Sequence, residues 1–210
     1  MNRPVPSSTS AEPVVKRLEL LLLSDFNTRT AATITDHVNS FPAFSRHHFR
    51  RLSMLGELSP WVDLARFDGV IIHNTLLPWS DRFISQATRA RLRAFTGLKA
   101  MFLQDEYCCI DRTVAAIRDL RINLLFTCVP EPEIDKVYSP QALPGVTKIN
   151  VLTGYVPVNL LGRAVPAPSD RPIDIGYRGR LLPAYLGRLG QEKARIADHV
   201  LADARIQYAS

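Results

Sequence analysis

Cysteine is scarce in this chain and badly spaced for structural use. There are three in 210 residues, and two of them, Cys108 and Cys109, are adjacent. That excludes a disulfide framework and the Cys-x-x-Cys spacing of zinc or redox centres, and it reads as free thiols in a reducing compartment. Long apolar runs are also missing: Leu18 to Leu23, the densest, is far below the roughly 18 residues that cross a bilayer. Residues 1–16 hold serine and proline but no basic segment followed by an apolar one, so they read as a disordered leader and not as a secretory signal. A cytoplasmic location is expected. Acidic residues are outnumbered, 20 against 26 basic ones, giving a formal charge of +6 and a pI near 9.5. Most of that excess is arginine, whose planar fork suits phosphate and carboxylate, so a nucleotide diphosphate, an anionic glycan, nucleic acid and an anionic membrane surface are all compatible partners.

Hydrophobic residues make up 46% and charged residues 22%, enough apolar material for a packed core. The run Leu18 to Leu23 stops abruptly at Ser24-Asp25, as a strand buried on both faces does. Thr30 to Phe49 follows with helical spacing of Ala31, Ile34, His37, Val38 and Phe41, interrupted by Pro42. The unit recurs. Strands are expected over Phe67–Asn74, Lys99–Leu103, Asn123–Thr127 and Lys148–Leu152, with helices over Ser80–Phe95, Asp111–Leu120 and Glu133–Tyr138. This alternation implies right-handed crossovers and an α/β fold with a doubly wound parallel sheet, Rossmann-like, over residues 17–161. A proline-rich linker over 162–172 precedes a strand at Ile173–Tyr177 and a helix at Leu189–Ala204, an incomplete second Rossmann element spanning 173–210. One strand and one helix cannot bury a core of their own, so this segment either docks on the first domain or belongs to something longer.

Ligands of such sheets bind beyond the carboxyl ends of the strands, which makes those ends the place to look for chemistry. After the first strand, Ser24, Asp25 and Asn27 stand where a glycine-rich phosphate loop would be; without glycine, hydroxyl and amide groups suit a carbohydrate better than a pyrophosphate. A simple polar loop with a helix cap is the competing reading. His73-Asn74 closes the second expected strand, and His73 there is either a hydrogen-bonding or proton-accepting group or a part-buried structural histidine. Gln104-Asp105-Glu106-Tyr107 sets two acids at the end of a central strand. Asp105, with Glu106 next, can serve as a base for an attacking hydroxyl, or one of them can cap the following helix. Arg82, Arg89, Arg91 and Arg93 read as a solvated helix face and not as a nucleic-acid patch. His47-His48 are adjacent and point apart on a helix, so no metal is assigned.

The stretch Asp174-Ile175-Gly176-Tyr177-Arg178-Gly179-Arg180, followed by Tyr185-Leu186-Gly187-Arg188-Leu189-Gly190 and Glu192-Lys193, resembles the start of the donor domain in bacterial glycosyltransferases of the two-Rossmann-domain (GT-B) type, group 1-like. Phe102 to Tyr107 and Leu125-Phe126-Thr127 resemble the acceptor-side domain of the same group. The resemblance spans most of Leu18 to Asp203. It implies two Rossmann-like domains across a cleft, transfer of a hexosyl unit from a nucleotide-sugar to a glycan, lipid or other hydroxyl acceptor, and no cofactor or tightly bound metal. Arg178, Gly179, Arg180 and Lys193 then hold the donor phosphates, and Ser24, Asp25, Asn27, Asn74 and Gln104 hold the acceptor. Most of the donor domain is not within the 210 residues. The rival readings are a non-catalytic flavodoxin-like or receiver-like binding module and an inactive truncated remnant.

Overall fold

The computed structural model describes residues 16–26, 32–152, 155–173, 176–177 and 181–201. The chain divides into two units between Val158 and Asn159. In the first, β1 (Glu19–Ser24), β2 (His48–Ser53), β3 (Gly69–Ile72), β4 (Leu98–Phe102), β5 (Leu124–Thr127) and β6 (Thr147–Asn150) form one sheet in the order β2-β1-β3-β4-β5-β6. Every neighbouring pair is parallel. The chain is thus α/β with a doubly wound, Rossmann-like sheet.

Burial explains the leucine run. Leu20, Leu21, Leu22 and Leu23 are all buried, because β1 lies inside the sheet with a layer on each side. Alternation sends Leu20 and Leu22 to one core, with Val38 of α1 (Ala32–Phe44), Ile71 and Ala100. Leu21 and Leu23 enter the larger core with Val70, Ile72, Met101 and Leu125. Three helices contribute to that second core: α2 (Gln86–Ala94) through Leu92, α3 (Ile110–Asp119) through Ile117 and α4 (Ile134–Val137) through Ile134.

The region Thr30 to Phe49 departs from the expected single helix. Residues 32–44 are α1, with Pro42 inside it, but the chain then turns and His48–Ser53 is a strand. Backbone pairing with β1, from Glu19 opposite His48 to Ser24 opposite Ser53, overrides the weak local pattern. The expected helix over Ser80–Phe95 is shorter: Ser85 caps it by accepting from the Thr88 N–H, so α2 starts at Gln86. Its arginines do not form a solvated face. Arg89 is buried against Asp81, Asp119 and the Pro78 carbonyl, Arg91 donates to the carbonyls of Leu58, Ser59 and Val62, and Arg93 pairs with Asp119 at 2.6 Å. Each guanidinium satisfies groups that would otherwise be stranded between α2 and its neighbours.

Lys99 is buried on β4, and its Nζ donates to the carbonyls of Leu92 (3.3 Å) and Phe95 (2.9 Å) at the end of α2. A cation at a helix carboxyl terminus meets both the dipole and the orphan carbonyls. Burial, with Arg121 nearby, holds the amine below its ordinary range.

In the second unit α5 spans Gly187–Leu201, close to the helix expected over Leu189–Ala204. The centre of the strand expected at Ile173–Tyr177, Asp174 and Ile175, lies outside the described residues.

Gly97 sits where chains crowd. A Cβ added there collides with the Phe95 ring and meets the Asp68 carbonyl at 2.6 Å, and that carbonyl already accepts from the Leu98 N–H. Gly97→Ala is expected to destabilise the protein by about 1–3 kcal/mol. Urea unfolding checks this, and an unchanged midpoint would contradict the packing described.

Candidate functional site

Because all six strands are parallel, their carboxyl ends share one edge. The crossover from β1 runs outward to β2, and the next returns past β1 to β3, so the order reverses between β1 and β3. That reversal leaves a crevice in which open α/β sheets hold ligands.

Ser24 and His73 stand side by side at this point, one step beyond the Leu23–Ile72 pair, and both are buried. His73 is enclosed by hydrogen bonds. Its Nδ1 accepts from the Thr75 backbone N–H at 3.2 Å and lies 3.1 Å from the Thr75 hydroxyl, while its Nε2 lies 3.1 Å from Nδ1 of His37 on α1. Thr75 Oγ1 in turn accepts from the Asp25 N–H at 2.9 Å, tying the end of β1 to the end of β3. Burial, and secondarily the His37 ring, holds the His73 imidazole down at about 3. It is neutral under ordinary conditions. Burial lowers His37 as well. Phe41 and Phe102 pack on the pair, with ring centroids 5.1 and 5.9 Å from that of His37.

The adjoining loops carry the amides and acids. Asn74 Nδ2 donates to Gln104 Oε1 at 2.6 Å, bringing the ends of β3 and β4 together. Asn74 Oδ1 and Ser24 Oγ are buried with no hydrogen-bond partner among the described residues. Such orphaned atoms are costly, and a binding site is where they are tolerated. Asp105 is exposed and held at φ +59°, and its carboxylate makes no hydrogen bond to the described residues. Cys109 at the start of α3 has the same φ of +59°. Two non-glycine residues in the left-handed region of one short loop mark backbone strain at this edge.

Glu106 is differently employed. Oε1 accepts from the hydroxyls of Thr127 and Tyr138, each at 2.5 Å, and Oε2 from the Cys128 N–H at 2.8 Å. It caps no helix. It fastens the exit of β5 to the loop after β4 and to buried Tyr138, whose phenol is pushed up by burial and by the carboxylate. Of the two acids, Asp105 alone has its oxygens open to a ligand.

No protein-family model, curated protein or solved structure matches this chain. Its site therefore stands on geometry.

Of the residues singled out in the sequence, Ser24, Asp25, His73, Asn74, Gln104, Asp105 and Glu106 meet at the carboxyl edge. Asn27, Arg178, Gly179 and Arg180 lie outside the described residues, as do Asp174 and Ile175 of the expected strand. Lys193 is exposed on α5, and its carbonyl accepts from the Tyr177 hydroxyl. A cavity of about 760 Å³, lined by Asp68, Phe95 and Gly97 among others, opens at the opposite edge of the sheet and shares no residue with this site. Among the described residues no three histidines, cysteines or acids gather as a metal site. Sequence reading missed His37, which looked like one more apolar-stripe position of α1, and Thr75 and Tyr138, whose roles depend on partners distant in the chain.

The sign of the pH dependence follows from His73. The unfolded chain protonates this ring near 6.5 and the folded chain only near 3, so stability is complete above pH 6.5 and declines as the pH falls from 6.5 to 3. The expected loss approaches about 1.4 kcal/mol per pH unit. Urea titrations at several pH values should show this slope, and His73→Gln should flatten it. For Glu106, Glu106→Ala strands two hydroxyls and should cost about 1–3 kcal/mol. Glu106→Gln should fall between, since an amide can accept from the hydroxyls but turns N–H toward N–H at Cys128; thermal melts rank the three proteins.

Proposed function

We propose that this chain is the acceptor-side lobe of a glycosyltransferase of the two-Rossmann-domain type, joined to the opening of its nucleotide-sugar domain. Asp105 is the base that takes the proton of the attacking hydroxyl, and Ser24, Asn74 and Gln104 hold the acceptor. The reading is carried by one observation: an open carboxylate on a strained loop stands at the same sheet edge as two buried, unpartnered side-chain oxygens. A hydroxyl acceptor can donate to Asn74 Oδ1 and exchange hydrogen bonds with Ser24, while Asp105 is available for proton transfer. Arg178, Arg180 and Lys193 supply the positive charge for a departing nucleoside diphosphate, and Gly179 lets the backbone approach it. The donor is a substrate and no cofactor is required; the acceptor is a glycan or lipid. Basic charge is compatible with a peripheral site on an anionic membrane, and no helix among the described residues is long and apolar enough to cross one.

A second reading draws on the strand order. Five of the strands run 2-1-3-4-5, the order of flavodoxin-like and receiver domains, which favours a non-catalytic binding module on the same edge.

Turnover separates the two. Nucleoside diphosphates of several bases should raise the melting temperature of the full chain, and Arg178→Ala should abolish the rise. Consumption of the matching nucleotide-sugar, measured on the chain joined to a complete donor domain, should fall about 100-fold in Asp105→Asn. Stabilisation without turnover would select the binding module, and the absence of both would overturn the transferase reading.

A further inference from the structure

The two histidines of the crevice have no freedom in where their protons sit. A backbone N–H can only donate, so Thr75 N, 3.2 Å from Nδ1 of His73, fixes that nitrogen as an acceptor. The neutral His73 ring must then carry its proton on Nε2, and Nε2 faces Nδ1 of His37 at 3.1 Å. Nδ1 of His37 is therefore an acceptor too, and the neutral His37 ring carries its proton on Nε2. The reverse arrangement would point two N–H groups at each other between Thr75 and His73. His37 is half-buried, and its ring makes no other hydrogen bond to the described residues.

We propose that His37 is the ligand-facing histidine of this crevice, presenting Nε2–H as a fixed hydrogen-bond donor to an oxygen of a hydroxyl-bearing ligand, with His73 and Thr75 behind it as positioning residues. The ligand's identity rests on the transferase reading; the fixed tautomer does not. His73 has no open nitrogen with which to touch a ligand, and it is buried. His37 has one, and the mutually packed Phe41 and Phe102 rings both lie against its ring. The same sheet edge carries two acceptor groups, the orphaned Asn74 Oδ1 and the Asp105 carboxylate, and the unpartnered Ser24 hydroxyl, which can donate or accept. An anion would meet these with repulsion, whereas a neutral hydroxyl can donate to them and accept from His37. His37 so held cannot serve as the base, which leaves proton removal to Asp105.

Long-range proton–nitrogen NMR on the full chain, with histidine labelled and the five ring systems assigned by single substitution, reads the tautomers directly. His37 and His73 are both expected as Nε2–H neutral rings at pH 7.5, and methyl glucoside added as a neutral polyol should move the His37 Nε2 resonance. His37→Asn keeps an acceptor for His73 but falls short of the ligand, so its melting temperature should stay near that of the native chain while polyol affinity drops about tenfold. His37→Phe leaves the His73 N–H unpaired and should melt lower. An Nδ1–H tautomer at His37, a His37 signal indifferent to the polyol, or undiminished affinity in a folded His37→Asn would each overturn the proposal. Loss of sugar turnover with the tautomer and polyol response intact would sink the transferase reading and leave this one standing.

Discussion

A parallel sheet whose crossovers change direction must leave a gap where they part, and this molecule is arranged around that gap. β1 and β3 lie side by side, yet the chain leaves β1 for β2 and only then returns. At their carboxyl ends no connecting loop runs straight across, and the polar groups there have to find partners by other means. Thr75 does part of this by accepting from the Asp25 N–H and sealing one side of His73. The remainder, Ser24 Oγ and Asn74 Oδ1, is left over. Topology thus creates both the opening and the unsatisfied chemistry within it.

Among the titratable side chains of this edge, Glu106, His73, His37 and Asp105 are given separate work by their surroundings. Glu106 is spent on three donors and fastens β5. His73 is kept neutral near pH 7 by burial and serves as a spacer of fixed polarity. His37 inherits that polarity from inside, and Asp105 alone keeps an exposed carboxylate. Residue type by itself would have offered four interchangeable bases. Burial and hydrogen bonding set them apart, and Asp105 is the one whose carboxylate makes no hydrogen bond to the described residues.

The fold was legible where burial is symmetric. Leucines at four consecutive positions of β1 have few explanations besides an inner strand of a parallel sheet, and the strand ends then directed attention to the carboxyl edge. β2 escaped notice because it is an outer strand with only Phe49 and Leu52 as apolar markers, and its identity comes from backbone pairing with β1, which no local pattern encodes. Arg89 and Lys99 illustrate the same limit: a charged side chain reads as solvent-facing until a folded neighbour supplies buried carbonyls for it. At the site, Ser24, His73 and Asp105 could be named from their places at strand ends. His37 could not, since its meaning arises only when α1 lays it against β3.

The composition of β2 carries a consequence for how copies of the chain meet. This strand ends the strand order among the described residues, and such a rim is where another molecule could add a strand. Arg50 and Arg51 project from that rim into solvent, with Arg51 steadied by Asn39. Two such rims approaching each other would bring like charges together before any ladder could zip, so crowding in a concentrated solution is opposed at the most adhesive border of the sheet.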